Sequence, residues 1–229
     1  MFALLAMSTT AATARAIDCV RADGRLDGVI CADPEMRDFQ RRMAAAYGNA
    51  TAVWNGAIAP YVQLEQQEWL MSFRTIETME AAIDEDCLLS DRGCISAQMR
   101  RRVEDMESGA YIYSGVYRAA NGMKLLLHPG LATGYSVRVY DPARLPKVDL
   151  LTLRATQAAT WEGPQLMVST MGNANGLPLP PGDGCTLRLT PQPLSMQVTQ
   201  TGTCQGMRFE GSYSRLLGET LRKYELELH

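Results

Sequence analysis

The spacing of apolar residues changes near Gly109, and that change constrains the fold of this 229-residue chain more than any other feature. Before it, Met36, Phe39, Met43, Tyr47 and Ala50 recur at three- and four-residue steps, which places them on one face of a helix. After it, apolar and polar residues alternate, as strands require. A chain that is helical first and stranded second is expected to be α+β, with the two kinds of element segregated.

The helix signals are specific. Asp33-Pro34-Glu35 reads as a start, because Asp caps, Pro suits the first turn and Glu favours the positive helix end. Pro60 opens a second helix carrying Tyr61, Leu64, Trp69, Phe73, Ile76 and Ile83. A third runs from about Ile95 through Met99, Val103 and Met106. Short links between helices imply antiparallel packing. Strand candidates follow at 111–118, 123–128, 135–140, 148–154, 166–170, 186–190, 194–200 and 207–213. Gly, Pro and Asn punctuate them, as in a small barrel or sandwich. Gly115-Val116-Tyr117-Arg118 resembles Gly211-Ser212-Tyr213-Ser214-Arg215, so the first and last strands are candidates to share a local geometry and close the sheet, with chance similarity of a single pair as the rival reading. Leu217, Leu221, Tyr224 and Leu228 mark a short amphipathic helix packed against the body.

Met1-Phe2-Ala3-Leu4-Leu5-Ala6-Met7, followed by small residues up to Ala14-Arg15-Ala16, reads as a secretory signal with an A-x-A site. No Lys or Arg precedes the apolar run. Residues 1–16 are therefore expected to be a signal peptide, 17–108 a helical domain, and 109–229 a barrel-like domain with its C-terminal helix. No run is long and apolar enough to span a membrane.

The six cysteines, Cys19, Cys31, Cys87, Cys94, Cys185 and Cys204, read as three disulfides in an oxidising compartment. Zinc is the rival use, but close C-x-x-C pairs are absent. Cys185 and Cys204 flank a hairpin and are expected to pair. The other four allow three pairings. Two long helices of similar length bring both pairs to one end, and bridges across the hairpin, a staple, are favoured over local rings.

Charge divides at the same place as period. Residues 17–108 hold 10 Arg and 17 acidic residues, a net −7, whereas residues 109–229 hold 11 basic and 8 acidic, a net +3. The sequence pI of about 5.5 argues against a general nucleic-acid binder. Catalytic signatures are sparse. The two histidines are His128, before Pro129-Gly130, and the terminal His229. No G-x-S-x-G, phosphate loop, dinucleotide fingerprint or H-E-x-x-H occurs. The acids Glu80, Asp84, Glu85 and Asp86 read as a solvated helix face. No enzyme, metal or cofactor is expected. The loop from Gly172 to Gly184 is a candidate contact surface, with a plain connection as its rival.

The order of motifs carries a resemblance. Asp18-Cys19, then Gly28-Val29-Ile30-Cys31-Ala32-Asp33-Pro34-Glu35-Met36, then Tyr47, is similar to the LprI-type lysozyme-inhibitor N-terminal domain family. Gln66-Gln67-Glu68-Trp69-Leu70, Arg74, Cys87, Cys94 and the basic run Arg100-Arg101-Arg102 continue the likeness over residues 18–108. One departure is a longer spacing from Trp69 to Cys87, about three added helical turns near residues 75–85, expected to lengthen the second helix. The resemblance implies a periplasmic or secreted bacterial protein that binds and inhibits C-type lysozyme, a strongly basic enzyme that an acidic helical half would attract. The alternative is an interaction module for another envelope protein or a cell-wall fragment. A third possibility is a hydrolase built on acidic residues. Lys124, His128, Arg144 and Lys147, near expected turns, are candidates for a group that plugs the lysozyme cleft. Ordinary solvated loop residues are the competing reading for each.

Overall fold

The computed structural model describes residues 19–20, 22, 24–77, 87–129, 135–140, 151–155, 165–172, 181–182, 184–204 and 208–228. Its helices are α1 (Arg25–Ala32), α2 (Pro34–Ala52), α3 (Ala59–Arg74), α4 (Arg92–Glu107) and the single turn α5 (Ala110–Tyr113). Eight strands follow: β1 (Gly115–Ala119), β2 (Lys124–Pro129), β3 (Tyr135–Tyr140), β4 (Leu151–Ala155), β5 (Leu166–Gly172), β6 (Cys185–Gln192), β7 (Ser195–Gly202) and β8 (Gly211–Arg215). Helix α6 (Leu221–Leu228) ends the described chain.

The expected α2 face is the buried one: Met36, Phe39, Met43, Tyr47 and Ala50 all lie in the helical core. Asp33 Oδ1 accepts from the backbone N–H of Glu35 at 2.8 Å and of Met36 at 3.2 Å, a cap of about 1 kcal/mol. On α4, Ile95, Met99, Val103 and Met106 are buried as the spacing requires, and Asp91 caps by accepting from Cys94 N–H at 2.9 Å. The α2–α3 reversal is unusual. Trp54 (φ 49°), Asn55 (φ 55°) and Gly56 (φ 81°) are consecutive left-handed residues, costing roughly 1–2 kcal/mol at each side-chain-bearing position.

Helix α1 is absent from the sequence reading. It buries Leu26 and Ile30. It ends because Pro34 disfavours helical backbone at Asp33, which is extended (φ −106°, ψ 119°). This small helix accounts for a correction. The four N-terminal-half cysteines pair locally, Cys19 with Cys31 and Cys87 with Cys94, and do not staple the hairpin. The ends of the hairpin do converge as expected, since Glu77 Oε1 accepts from Leu26 N–H at 3.0 Å. Convergence did not decide pairing. Helix α1 returns Cys31 to Cys19, and the turn at 89–91 returns Cys94 to Cys87. Short rings close at little entropic cost. The second helix is also not lengthened through the expected insertion: α3 ends at Arg74, followed by a 3-10 turn, Thr75–Glu77. Ile83 and the acidic run Glu80, Asp84, Glu85 and Asp86 lie outside the described residues.

The strands pair in sequence order, each antiparallel to the next, and close into a barrel. Closure runs through Tyr117↔Arg215, Arg118↔Ser214 and Ala119↔Tyr213. The two similar segments are thus the strands that meet, and Gly115 (φ 138°) and Gly211 (φ 143°) have nearly the same positive φ. Gly115 has a second requirement. A Cβ there would lie 3.3 Å from the Tyr61 ring. Tyr117, Leu125, Leu127, Val137, Val168, Leu187, Leu189, Val198 and Tyr213 fill the interior. Val116 and Leu126 face outward, where Leu221 and Tyr224 of α6 cover them. Cys185 and Cys204 are bonded, as the hairpin requires. Two strand expectations are corrected: Tyr111–Tyr113 belong to the helical turn Ala110–Tyr113, so β1 begins at Gly115, and the last strand is Gly211–Arg215 where 207–213 was expected. Among the described residues no helix is long and apolar enough to cross a membrane.

Candidate functional site

Buried ionisable side chains gather where the barrel meets the helices. Arg215, at the end of β8, is 6 % exposed. Its guanidinium donates to Ile112 O and Ser114 O, both at 2.6 Å. It lies 4.5 Å from the Tyr61 ring centre and 5.7 Å from that of Tyr117. A desolvated cation over aromatic rings gains about 2 kcal/mol. Burial pushes the Tyr61 and Tyr117 hydroxyls up, with Arg215 opposing. Glu65, one turn along α3 from Tyr61, is also pushed up by burial, while Arg102 and Arg215 pull it down. Perturbed groups often mark active sites, but structural ion-pair networks perturb them too. Here the groups hold one another: Arg215 grips two carbonyls, Tyr61 packs in the helical core against Gly115 and Arg215, and Glu65 faces Arg102.

A second network lies in the helical core. Arg102 donates from Nε and a terminal nitrogen to Gln66 Oε1, at 3.1 and 2.9 Å. Gln66 in turn donates to Met43 Sδ at 3.5 Å. Arg102 lies 3.9 Å from Glu65 and 5.9 Å from the Trp69 ring centre. Trp69 stacks on Phe73 at 4.7 Å. Of the residues that carry the resemblance, Gln66, Arg100 and Arg102 bond between helices, whereas Asp33 and Trp69 act within their own. They cap, hydrogen-bond and stack within the fold.

Among the described residues a groove of about 310 Å³ lies beside this seam. One wall is a stripe of α2, Arg42, Ala45, Ala46 and Asn49, and the other comes from Met106, Glu107, Gly109 and Ile112. Arg42 to Asn49 spans about 10 Å of helix. Arg42 donates to both carboxylate oxygens of Glu107, at 2.9 and 2.5 Å. That pairing holds Arg42 above and Glu107 below their ordinary values, although desolvation opposes each shift. The α5 wall is fixed from behind. Barrel side chains grip it, Arg215 at Ile112 O and Tyr117 OH at Tyr113 O, the latter at 2.6 Å. The left-handed Trp54 makes an edge contact with Tyr113, with ring centres 5.8 Å apart.

The sequence reading did not find this groove. Its α2 stripe was visible as small and polar residues beside the apolar face. Its other wall was hidden because Tyr111–Tyr113 alternate like a strand. Of the four candidate contact residues, Lys124 and His128 do not line it. Lys124, at the start of β2, bonds Glu219 at 3.2 Å and Tyr224, fastening the region before α6 to the barrel. His128 is half-buried near the end of β2, within a strand that continues through Pro129. Arg144 and Lys147 lie outside the described residues, as does most of the Gly172–Gly184 loop. Among the described residues no group of three or more His, Cys, Asp or Glu is placed to hold a metal. No family model, curated protein or solved structure matches this chain.

Proposed function

We propose that this protein is a bacterial envelope protein that binds another protein without catalysing a reaction, and that its target is C-type lysozyme. The observation that carries the reading is charge segregation, a helical half of net −7 beside a half of net +3. Such asymmetry attracts and orients a strongly basic partner. The resemblance of residues 18–108 supplies the choice of lysozyme. Three disulfides and no membrane-spanning helix among the described residues are compatible with an extracellular or periplasmic location. The structural roles of Tyr61, Glu65, Arg215 and Lys124 support binding over hydrolysis, because each of these groups is tied into packing.

The test is lysozyme activity on cell walls with increasing amounts of oxidised residues 17–229, at low and moderate salt. Saturable inhibition that weakens with salt is the expected result. No inhibition of C-type lysozyme by protein with all three disulfides intact rejects the inhibitor reading.

A further inference from the structure

The three disulfides differ in where they sit. Cys87 is 1 % exposed and lies in the helical core, with Cys94 packed against it. Cys185 and Cys204 are 6 % and 0 % exposed, within the barrel core. Cys19 and Cys31 belong to none of the hydrophobic clusters. Cys19 is exposed, Cys31 is half-buried, and the neighbouring Val20 is 93 % exposed. Loop length does not separate the bonds in the same way. The sequence separations are 12, 7 and 19, and closure entropy grows only with the logarithm of length. A thiolate must reach a sulfur before it can exchange with it, so access sets the order of reaction.

The fold around Cys31 is also held without its bridge. Leu26 and Ile30 bury α1 against the helical core. Glu77 accepts from Leu26 N–H at 3.0 Å in the first turn of α1, and the Asp33 cap starts α2 just after its end. Opening the bridge therefore frees Cys19 from α1 and leaves the helices packed.

We propose that the Cys19–Cys31 bridge is a thiol–disulfide exchange site whose substrate is a dithiol. A thiolate of the dithiol attacks Sγ of Cys19, the exposed end. A mixed disulfide forms there, the Cys19–Cys31 bond breaks, and Cys31 leaves as a thiolate. The second thiol then attacks the dithiol's own sulfur in the mixed disulfide and releases Cys19. The dithiol becomes a cyclic disulfide, and the electron pair and protons it gives up leave the protein with two thiols. This inference stands on the position of the bridge and is independent of the lysozyme reading.

The test treats the oxidised protein with rising dithiothreitol, without denaturant, alkylates the free thiols at intervals and maps them by peptide mass. Cys19 and Cys31 are expected to be labelled about tenfold faster than the other four, with the helical circular-dichroism signal retained. Opening of Cys87–Cys94 or Cys185–Cys204 first, or of all three together with loss of that signal, overturns the proposal. The end that is attacked is tested with oxidised glutathione on Cys31→Ser and Cys19→Ser, each of which leaves one thiol of the pair. Faster adduct formation by Cys19 in the first variant supports Cys19 as the reacting end. Faster adduct formation by Cys31 in the second overturns that assignment.

Discussion

The helical and barrel halves solve the problem of a small core differently. In the barrel, every strand has two neighbours, and the interior is almost wholly apolar apart from tyrosine hydroxyls. Closure leaves no open edge. One disulfide ties the β6–β7 hairpin at its far end. The helical half instead carries two disulfides and a buried arginine bonded to a glutamine. Helices satisfy their own backbones, so their arrangement rests on side chains. Polar contacts such as Arg102–Gln66 then specify which helix faces which. The difference teaches where each half can tolerate change. The barrel depends on its ladder and the helical half on a few named side chains.

The largest effect is expected at the seam that joins them. Arg215→Ala removes the donor to the Ile112 and Ser114 carbonyls and the cation over the Tyr61 ring. It should cost about 3–5 kcal/mol in urea unfolding, lowering Tm by about 10 °C. A change within error would mean that the two halves hold together without this contact. Replacing disulfide pairs by alanine comes next. Removing Cys185–Cys204, with a sequence separation of 19, should cost about 3 kcal/mol, and Cys87–Cys94, with a separation of 7, about 2.5 kcal/mol. Calorimetric melts in that order would support loop closure as the source of stability; the reverse order would point to strain or unfolded-state structure. Gln66→Ala removes the acceptor of buried Arg102 and should cost about 2 kcal/mol. Gln66→Glu should recover most of that loss if the acceptor is what matters, and none if the loss is packing.

The smallest effects separate the halves by the sign of their response to pH. Burial holds Glu65 above its ordinary value of 4.5, so the folded protein keeps this proton more readily than the unfolded chain. Its contribution is present at low pH and lost as pH rises above 4.5. Glu219 is pushed up by desolvation, but bonds from Tyr224 and Lys124 outweigh this and hold it below 4.5. Its contribution is present above 4.5 and lost as pH falls through the lowered value. Stability curves against pH should therefore lose a falling limb in Glu65→Gln and a rising limb in Glu219→Gln. Identical changes in the two variants would contradict the opposite environments described for them.

Much of the architecture was legible from particular residues. Met36, Phe39, Met43 and Tyr47 declare one helix face because burial follows a 3.6-residue period. The similarity of residues 115–118 to 211–215 pointed to the strands that close the barrel, and the structure shows each opening on a glycine at positive φ, which side chains resist. Asp33-Pro34 marked a helix start, yet the same proline ended α1 at the preceding residue, and that helix was missed. Tyr111–Tyr113 alternated like a strand and formed a helical turn whose carbonyls Arg215 and Tyr117 hold. The groove went unseen for the same reason, because its second wall exists through those long-range contacts.

The sequence by itself determined the α+β order, the eight strands seen among the described residues, the division of charge and the Cys185–Cys204 bridge. These follow from period, turn residues and hairpin geometry, which are local. Tertiary structure alone decided the pairing of the other four cysteines, the roles of Arg102 and Arg215, and the groove. Each depends on residues far apart in the chain, Gln66 and Arg102 or Ile112 and Arg215, and no local pattern encodes which distant groups will share a desolvated space.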